Sequence, residues 1–432
     1  MPASVIITTL SLLAVLASGA WVGLGLIGVG VFSLEVFRNM PVERLLSQSV
    51  WNGLSSPELL ALPLFILMAE LLFRSRFVDG LFLALDPWVR RLPGGLLHTN
   101  VVACAFFALV SGSSAATTSS VGRMTIGELK SRGYDTRMTI GTLAGAGTLG
   151  FLIPPSIVMI VYGVLSQTSV LKLFTAGILP GLLLACCFMG YIALVSRLRP
   201  EIAAAATDLG EDGIWRERMR HLPRLLPFIA LILAILGSMY GGIASPTEAA
   251  AVAVLVTVAL MAFERSLSPQ TLMDACLGTA RTVAMLGLII GAASFLSSAI
   301  GFLGMPQAVA TFVNGLDLSP FALILLLIAV YIVLGSFLEG MSIIVMTIPI
   351  VLPLVTAAGY DSVWFGIFLI LMVELAQISP PVGMNLFVLQ GLTREPLSVI
   401  VRAALPFFLI MLSFVLILAL FPGIVGFLPG LL

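Results

Sequence analysis

Gly145-Ala146-Gly147-Thr148-Leu149-Gly150-Phe151-Leu152-Ile153-Pro154-Pro155-Ser156 is a run of small and apolar residues closed by two prolines. Pro155 has no backbone N–H to donate, and a proline at the next position disfavours the α conformation for Pro154. A continuous helix is disfavoured, and backbone carbonyls near 149–153 lose their intrahelical partners. The pattern returns in the second half as Gln377-Ile378-Ser379-Pro380-Pro381-Val382-Gly383-Met384-Asn385, where Ser379 and Asn385 add side-chain oxygens. A kink that serves packing alone is the structural alternative at both places.

What the freed carbonyls mean depends on the surrounding solvent, and composition decides that. Of 432 residues, 59% are hydrophobic and 10% charged, against roughly 25% charged in a soluble domain. Mean hydropathy is +1.15. A soluble enzyme, a nucleic-acid binder and a disordered regulator are excluded. The 21 Lys and Arg balance the 21 Asp and Glu, so no field for a polyanion is implied. Long apolar runs, rather than alternating segments of about ten residues, make this an all-α polytopic membrane protein. Runs suited to spanning the bilayer, each needing ~20 apolar residues, fall near 4–33, 58–73, 96–121, 138–165, 173–195, 224–243, 246–263, 282–303, 320–355, 362–378, 382–392 and 398–422. They predict about ten to twelve spans. The first run has no basic residue before it, Arg38 being the first, and reads as an uncleaved membrane segment rather than a signal peptide. Polar stretches at 196–224 and about 264–281 are expected to lie at the membrane interface. The four cysteines (104, 186, 187, 276) and the two distant histidines, His98 and His221, show neither metal spacing nor a disulfide framework.

The halves repeat. Gly133-Tyr134-Asp135 recurs as Gly359-Tyr360-Asp361, Pro154-Pro155 as Pro380-Pro381 and Leu179-Pro180 as Leu405-Pro406, all at one constant displacement. Gly112-Ser113 faces Gly335-Ser336 at a slightly shorter one. The stretch 123–137 carries Arg123, Lys130, Arg132 and Arg137, whereas 349–363 carries no Lys or Arg. By the positive-inside rule the first loop is cytoplasmic and the second external. The repeats are then inverted, as in many secondary transporters.

A second stretch suggests chemistry: Ser111-Gly112-Ser113-Ser114-Ala115-Ala116-Thr117-Thr118-Ser119-Ser120. Close helix packing explains small residues of this kind. The functional reading is a hairpin tip inside the membrane, where carbonyls and hydroxyls offer hard oxygens to a cation and helix N-termini offer N–H groups to a carboxylate. Glu70, Glu248, Glu339 and Glu374 stand near apolar segments. Acids there are functional suspects or helix caps, and Glu248 after Ser245-Pro246-Thr247 fits a cap. No Gly-rich phosphate loop is present, so ATP has no site.

These residues resemble a known family. Gly147 to Ser156, Leu173-Phe174-Thr175-Ala176-Gly177-Ile178-Leu179-Pro180-Gly181, Gly242-Ile243-Ala244-Ser245-Pro246-Thr247-Glu248-Ala249-Ala250 and Pro380-Pro381-Val382-Gly383-Met384-Asn385-Leu386 are similar to motifs of the large membrane subunit of tripartite ATP-independent periplasmic (TRAP) transporters. The matches run from about 60 to 410 in family order. The resemblance implies an elevator-type transporter of the bacterial inner membrane. Na+ drives uptake of an organic acid delivered by a periplasmic substrate-binding protein, C4-dicarboxylates and sialic acids being family substrates. It implies scaffold segments at 1–90 and 196–310, and transport repeats with two re-entrant hairpins at 91–195 and 311–432. With no spare four-helix segment at either end, the small four-helix membrane subunit is expected as a separate protein. Carried over, one Na+ site uses Ser111, Gly112, Ser113 and Ser114 with carbonyls around Gly147, Thr148, Leu152 and Pro154. The other uses Gly335 or Gly340 with Ala376, Ser379 and Val382. Substrate falls to Ser113, Pro155, Pro381 and Asn385. Ala376 stands where the family has Gly, Ser379 where it has Thr, and Gly127 where it often has Pro; the second site is expected to persist with altered affinity. The alternative is a stand-alone ion-coupled carboxylate transporter that needs no binding protein. An intramembrane enzyme lacks a paired nucleophile and base, and a channel would lack obligatory coupling.

Overall fold

The protein is described by a computed structural model covering residues 3–18, 21–38, 40–75, 77–202, 210–315 and 318–431. Among these residues the secondary structure is helical throughout, with no strand. Among the described residues five helices are long and apolar enough to cross a membrane, or up to seven if each of two bent pairs is one span. Further apolar helices of 10–17 residues are shorter than a single crossing, as expected of runs too short or too long for one span. Apolar runs are broken where glycine, serine or proline interrupts hydrogen bonding. The run at 4–33 is two helices, Ala3–Ala17 and Val22–Arg38, joined side by side by Thr8 Oγ1 donating to Ser33 Oγ at 3.0 Å; residues 19–20 lie outside the described residues. The run at 96–121 breaks at Gly112-Ser113, and 320–355 breaks between Gly335 and Gly340.

Helices from the first third and the middle of the chain pack through small residues. Val22–Arg38 and Val42–Leu54 lie along the 34-residue helix Pro269–Phe302, and Ala61–Phe73 lies along Pro246–Phe263. Gly23 admits Leu288, Gly30 admits Phe295 and Gly53 admits Ser294. Helices in lipid gain from close packing of this kind, since lipid tails remove any hydrophobic drive between them. Within the polar stretch 264–281, residues 264–268 join two helices and the rest opens the helix Pro269–Phe302. Ser268 caps Pro269–Phe302, and nothing within that helix breaks it before Phe302. Of the polar interval 196–224, residues 203–209 lie outside the described residues. Gly210–His221 forms a helix whose Arg218 lies 5.1 Å from the Trp88 ring centroid.

The same order of elements occurs twice in the remaining segments. A helix pair (Leu97–Ser111 and Ser114–Ser131; Pro320–Gly335 and Gly340–Ala357) is followed by a broken helix (Thr136–Thr148 and Ile157–Ser166; Ser362–Gln377 and Met384–Thr393) and a closing helix (Val170–Leu198; Leu397–Leu420). The recurring Gly-Tyr-Asp builds the same corner each time. Gly133 and Gly359 take positive φ, 80° and 93°, a backbone conformation strained for any residue with a side chain. Asp135 and Asp361 then cap the next helix, accepting from Met138 N at 2.7 Å and from Val363 N at 2.8 Å. The halves interlock: Ile157–Ser166 packs on Gly340–Ala357, and Met384–Thr393 packs on Ser114–Ser131.

Candidate functional site

Each broken helix is interrupted by a cis Pro-Pro peptide, Pro154-Pro155 and Pro380-Pro381. Carbonyls from Gly150 to Pro155 receive no backbone N–H. The same holds for Gln377, Ile378, Pro380, Pro381 and Val382, while Ser379 O accepts from Gly383 N at 2.9 Å. Those from Gly150 to Pro155 and of Gln377 and Ile378 belong to buried residues, and in a low-dielectric body such acceptors need protein, water or a cation. Ser156 caps the next half-helix in the first half, accepting from Met159 N at 3.4 Å; Gly383 takes that place in the second, with no side-chain cap.

The tip of the first helix pair sits on the first break. Leu97–Ser111 ends at Gly112 in the left-handed region, and Ser113 starts the next helix by accepting from Ala116 N at 3.5 Å. Ser111 Oγ stands 2.6 Å from Thr117 Oγ1. A Cβ built at Gly112 would lie 3.0 Å from Ile157 N, and one at Gly150 would lie 3.0 Å from Ser113 O and 3.1 Å from Thr117 Oγ1. Gly147 faces Thr118 so closely that any side chain there would displace the threonine hydroxyl. Thr118 Oγ1 is buried without a hydrogen-bond partner. The tip thus brings Ser111, Gly112, Ser113 and Ser114 against Gly147 to Gly150, and adds Thr117 and Thr118. These two threonines stand in the hydroxyl stretch quoted above, but only the packing singles them out. The Leu152 carbonyl oxygen lies against Gly177 of the closing helix instead, 2.6 Å from where a Cβ would stand. Pro154 and Pro155 are both buried.

The second tip is seated in the corresponding way. A Cβ on Gly335 would overlap Ala376, and one on Gly340 would overlap Val373 and approach Gln377 Nε2 at 3.1 Å. Gly335, Gly340 and Ala376 therefore come together. Ser379 is buried two positions before Pro381. Pro380, Pro381 and Val382 are exposed, Val382 at 37%. Asn385 points the other way: its Nδ2 donates to Ser114 Oγ at 2.7 Å, tying the second break to the first tip. Its Oδ1 is buried without a partner.

The four acids separate. Glu248 closes a capping box with Ser245, as its sequence suggests. Glu339 caps Gly340–Ala357 by accepting from Ser342 N at 3.4 Å, and Glu70 pairs with Arg74. Glu374 is fully buried, and neither of its carboxylate oxygens has a hydrogen-bond partner. Among the described residues no group of three His, Cys, Asp or Glu could hold a metal ion; the oxygens gathered at both breaks are hydroxyl and carbonyl. That donor set, with orphaned Thr118 Oγ1 and Asn385 Oδ1, fits a hard monovalent cation. The four cysteines are free.

Comparison with known proteins agrees with this architecture. The chain is 36% identical over 377 residues to the C4-dicarboxylate TRAP transporter large permease protein DctM of Pseudomonas aeruginosa, covering 86% of each chain. It is 30% identical over 417 residues to the ectoine/5-hydroxyectoine TRAP transporter large permease protein UehC of Ruegeria pomeroyi, covering 96% of this chain and 94% of that one. Both relatives are named as transporter subunits, not enzymes. Among solved structures, the YdaH transporter of Alcanivorax borkumensis superposes with a TM-score of 0.68 over 98% of both chains at 14% identity, a likeness of fold. The family described as tripartite ATP-independent periplasmic transporter, DctM component, matches residues 9–424, and this chain is a multi-pass membrane protein that belongs to it.

Proposed function

We propose that this chain is the sodium-coupled permease of a tripartite system in the bacterial inner membrane, importing an organic acid handed over by a periplasmic binding protein. A small four-helix membrane subunit completes the complex. The observation that carries the reading is the doubled arrangement of a glycine-jointed tip seated on a Pro-Pro break, with unpaired oxygens between them. Na+ fills the oxygen sites at Ser111–Ser114 with Gly147 and Thr148, and at Gly335 or Gly340 with Ala376 and Ser379. Filling them orders the two tips. The N-termini of Ser114–Ser131 and Met384–Thr393 then offer N–H groups to the substrate carboxylate, favoured there by the helix dipole. Ser113 and the exposed Pro381 line that place.

In this reading the two interlocked repeats move as one body against the other helices, an elevator stroke with re-entrant hairpins as its tips. A polar cavity of about 520 Å³ lies where the two groups of helices meet, lined by Ser49, Asn52, Ser294 and Ser298 on one side and Gln167 and Ser169 on the other. Hydroxyl-lined surfaces exchange hydrogen bonds with water at little cost, which suits faces that part and meet. Relatives named for a C4-dicarboxylate and for ectoine support a small carboxylate-bearing solute.

The test is uptake in proteoliposomes holding this chain and its small subunit, with binding protein loaded with labelled carboxylate. Uptake that requires an inward Na+ gradient and the binding protein is expected. Equal uptake with K+ in place of Na+ would remove the sodium coupling. Uptake of free substrate without binding protein would assign the chain to stand-alone transporters.

A further inference from the structure

Both proposed cation sites are built from neutral oxygens, yet a carboxylate is buried between them. Glu374 is fully buried in Ser362–Gln377, two residues before Ala376 of the second site. The backbone of Leu152, in the first break, approaches its carboxylate. The Leu152 N–H is already given to Leu149 O at 3.2 Å, and neither Glu374 oxygen has a hydrogen-bond partner. None of the ion pairs among the described residues involves it.

A bare carboxylate in such a body is costly, and it is relieved either by a proton or by a positive charge that compensates it. The fold itself does not require one. At the repeat displacement that relates Pro154 to Pro380, Glu374 corresponds to Thr148, a neutral residue whose hydroxyl is satisfied by donating to Gly145 O at 2.8 Å. The acid therefore stands where a threonine suffices in the other half.

We infer that Glu374 is the shared buried counter-charge of the two cation sites: a positioning residue that strengthens Na+ binding at both and couples their filling, without itself touching the substrate. The inference rests on the sodium-coupled reading above. It goes beyond that reading by assigning the negative charge that two Na+ ions would otherwise lack. It also carries a sign that a packing role does not. At a pH where the acid stays ionised, the uncompensated charge destabilises the Na+-free body, and Glu374→Gln stabilises the protein there. With Na+ the order reverses.

The experiment is a NaCl titration of thermal unfolding, at constant ionic strength set with KCl, on the full chain with its small subunit in nanodiscs. Wild type is expected to gain stability cooperatively with Na+. E374Q is expected to unfold above wild type in KCl alone, to need roughly tenfold or more Na+ for its gain, and to lose the cooperativity. E374D, which keeps the charge one methylene back, is expected to recover part of the affinity. Should E374Q fail to assemble, E374D decides: a lowered Na+ affinity supports the assignment and an unchanged one overturns it. A wild type stabilised by Na+ with an E374Q titration that superimposes on it overturns this inference alone. A wild type indifferent to Na+ overturns the sodium-coupled reading and this inference with it.

Discussion

The two cis-proline breaks carry the same motif and end in different surroundings. Phe151 to Ser156 are buried without exception, whereas Pro380, Pro381, Val382 and Met384 are exposed. The cause lies in the closing helices. Val170–Leu198 presents Gly177 to the Leu152 carbonyl and Gly181 to Ile153, so the first break sinks into that helix. At the repeat displacement that relates Pro180 to Pro406, those glycines become Ala403 and Phe407. Phe407 instead fills the groove left by Gly141 and Gly145, with its ring tilted against Phe188 at 5.4 Å and edge-on to Tyr191 at 5.3 Å. The second half thus spends its closing helix on clamping the first half. Its own break stays accessible. Equal local chemistry does not mean equal access, and access is what a solute reads.

The largest effect should come from closing the first groove. Gly177→Val would set methyl groups against Leu152 O and Met159 Cε. Overpacking of this kind costs about 1–3 kcal/mol or more, visible as a lowered unfolding temperature. Ala403→Gly at the matching place should cost no more than about 1 kcal/mol; equal losses would break the comparison. Asn385→Ala removes the 2.7 Å bond to Ser114 and leaves a buried hydroxyl short of a donor, for about 1–3 kcal/mol. It should also weaken Na+ stabilisation, since Ser114 belongs to the first tip. Smaller still are the caps. Asp135→Ala and Asp361→Ala should each cost about 1 kcal/mol; a much larger loss at Asp135 would mean that its corner also fixes the tip. The last probe reads access rather than stability. With the exposed Cys186, Cys187 and Cys276 replaced by serine, Val382→Cys should react quickly with a water-soluble maleimide, while Ile153→Cys should stay protected. Comparable labelling rates would show that the two breaks are equally open.

Much of this was legible in the chain. Proline cannot donate an N–H, so both breaks could be placed from Pro154-Pro155 and Pro380-Pro381 alone. The recurring Gly-Tyr-Asp marked the repeat but not its corner, whose turn and cap came from the structure, while Ser245-Pro246-Thr247-Glu248 announced its capping box. Spans were less legible. Hydropathy registers apolar length, but Gly112-Ser113 and the segment 336–339 interrupt hydrogen bonding without interrupting hydrophobicity enough to be counted. The long helix that starts at Pro269 and runs on past 281 escaped for the converse reason, because polar residues within a helix do not end it.

What the sequence by itself determined are the properties that belong to single residues and their near neighbours: a lipid-facing composition, two breaks, two tips of small residues and their shared displacement. Only the tertiary structure decided which of those elements meet. That Thr117 and Thr118 close on Gly150 and Gly147, that Asn385 reaches Ser114 across the halves, and that Glu374 lies unpaired beside Leu152 are contacts between residues far apart in the chain. Their geometry is set by which glycines open a groove and which side chains fill one, a property of pairs that no single stretch contains.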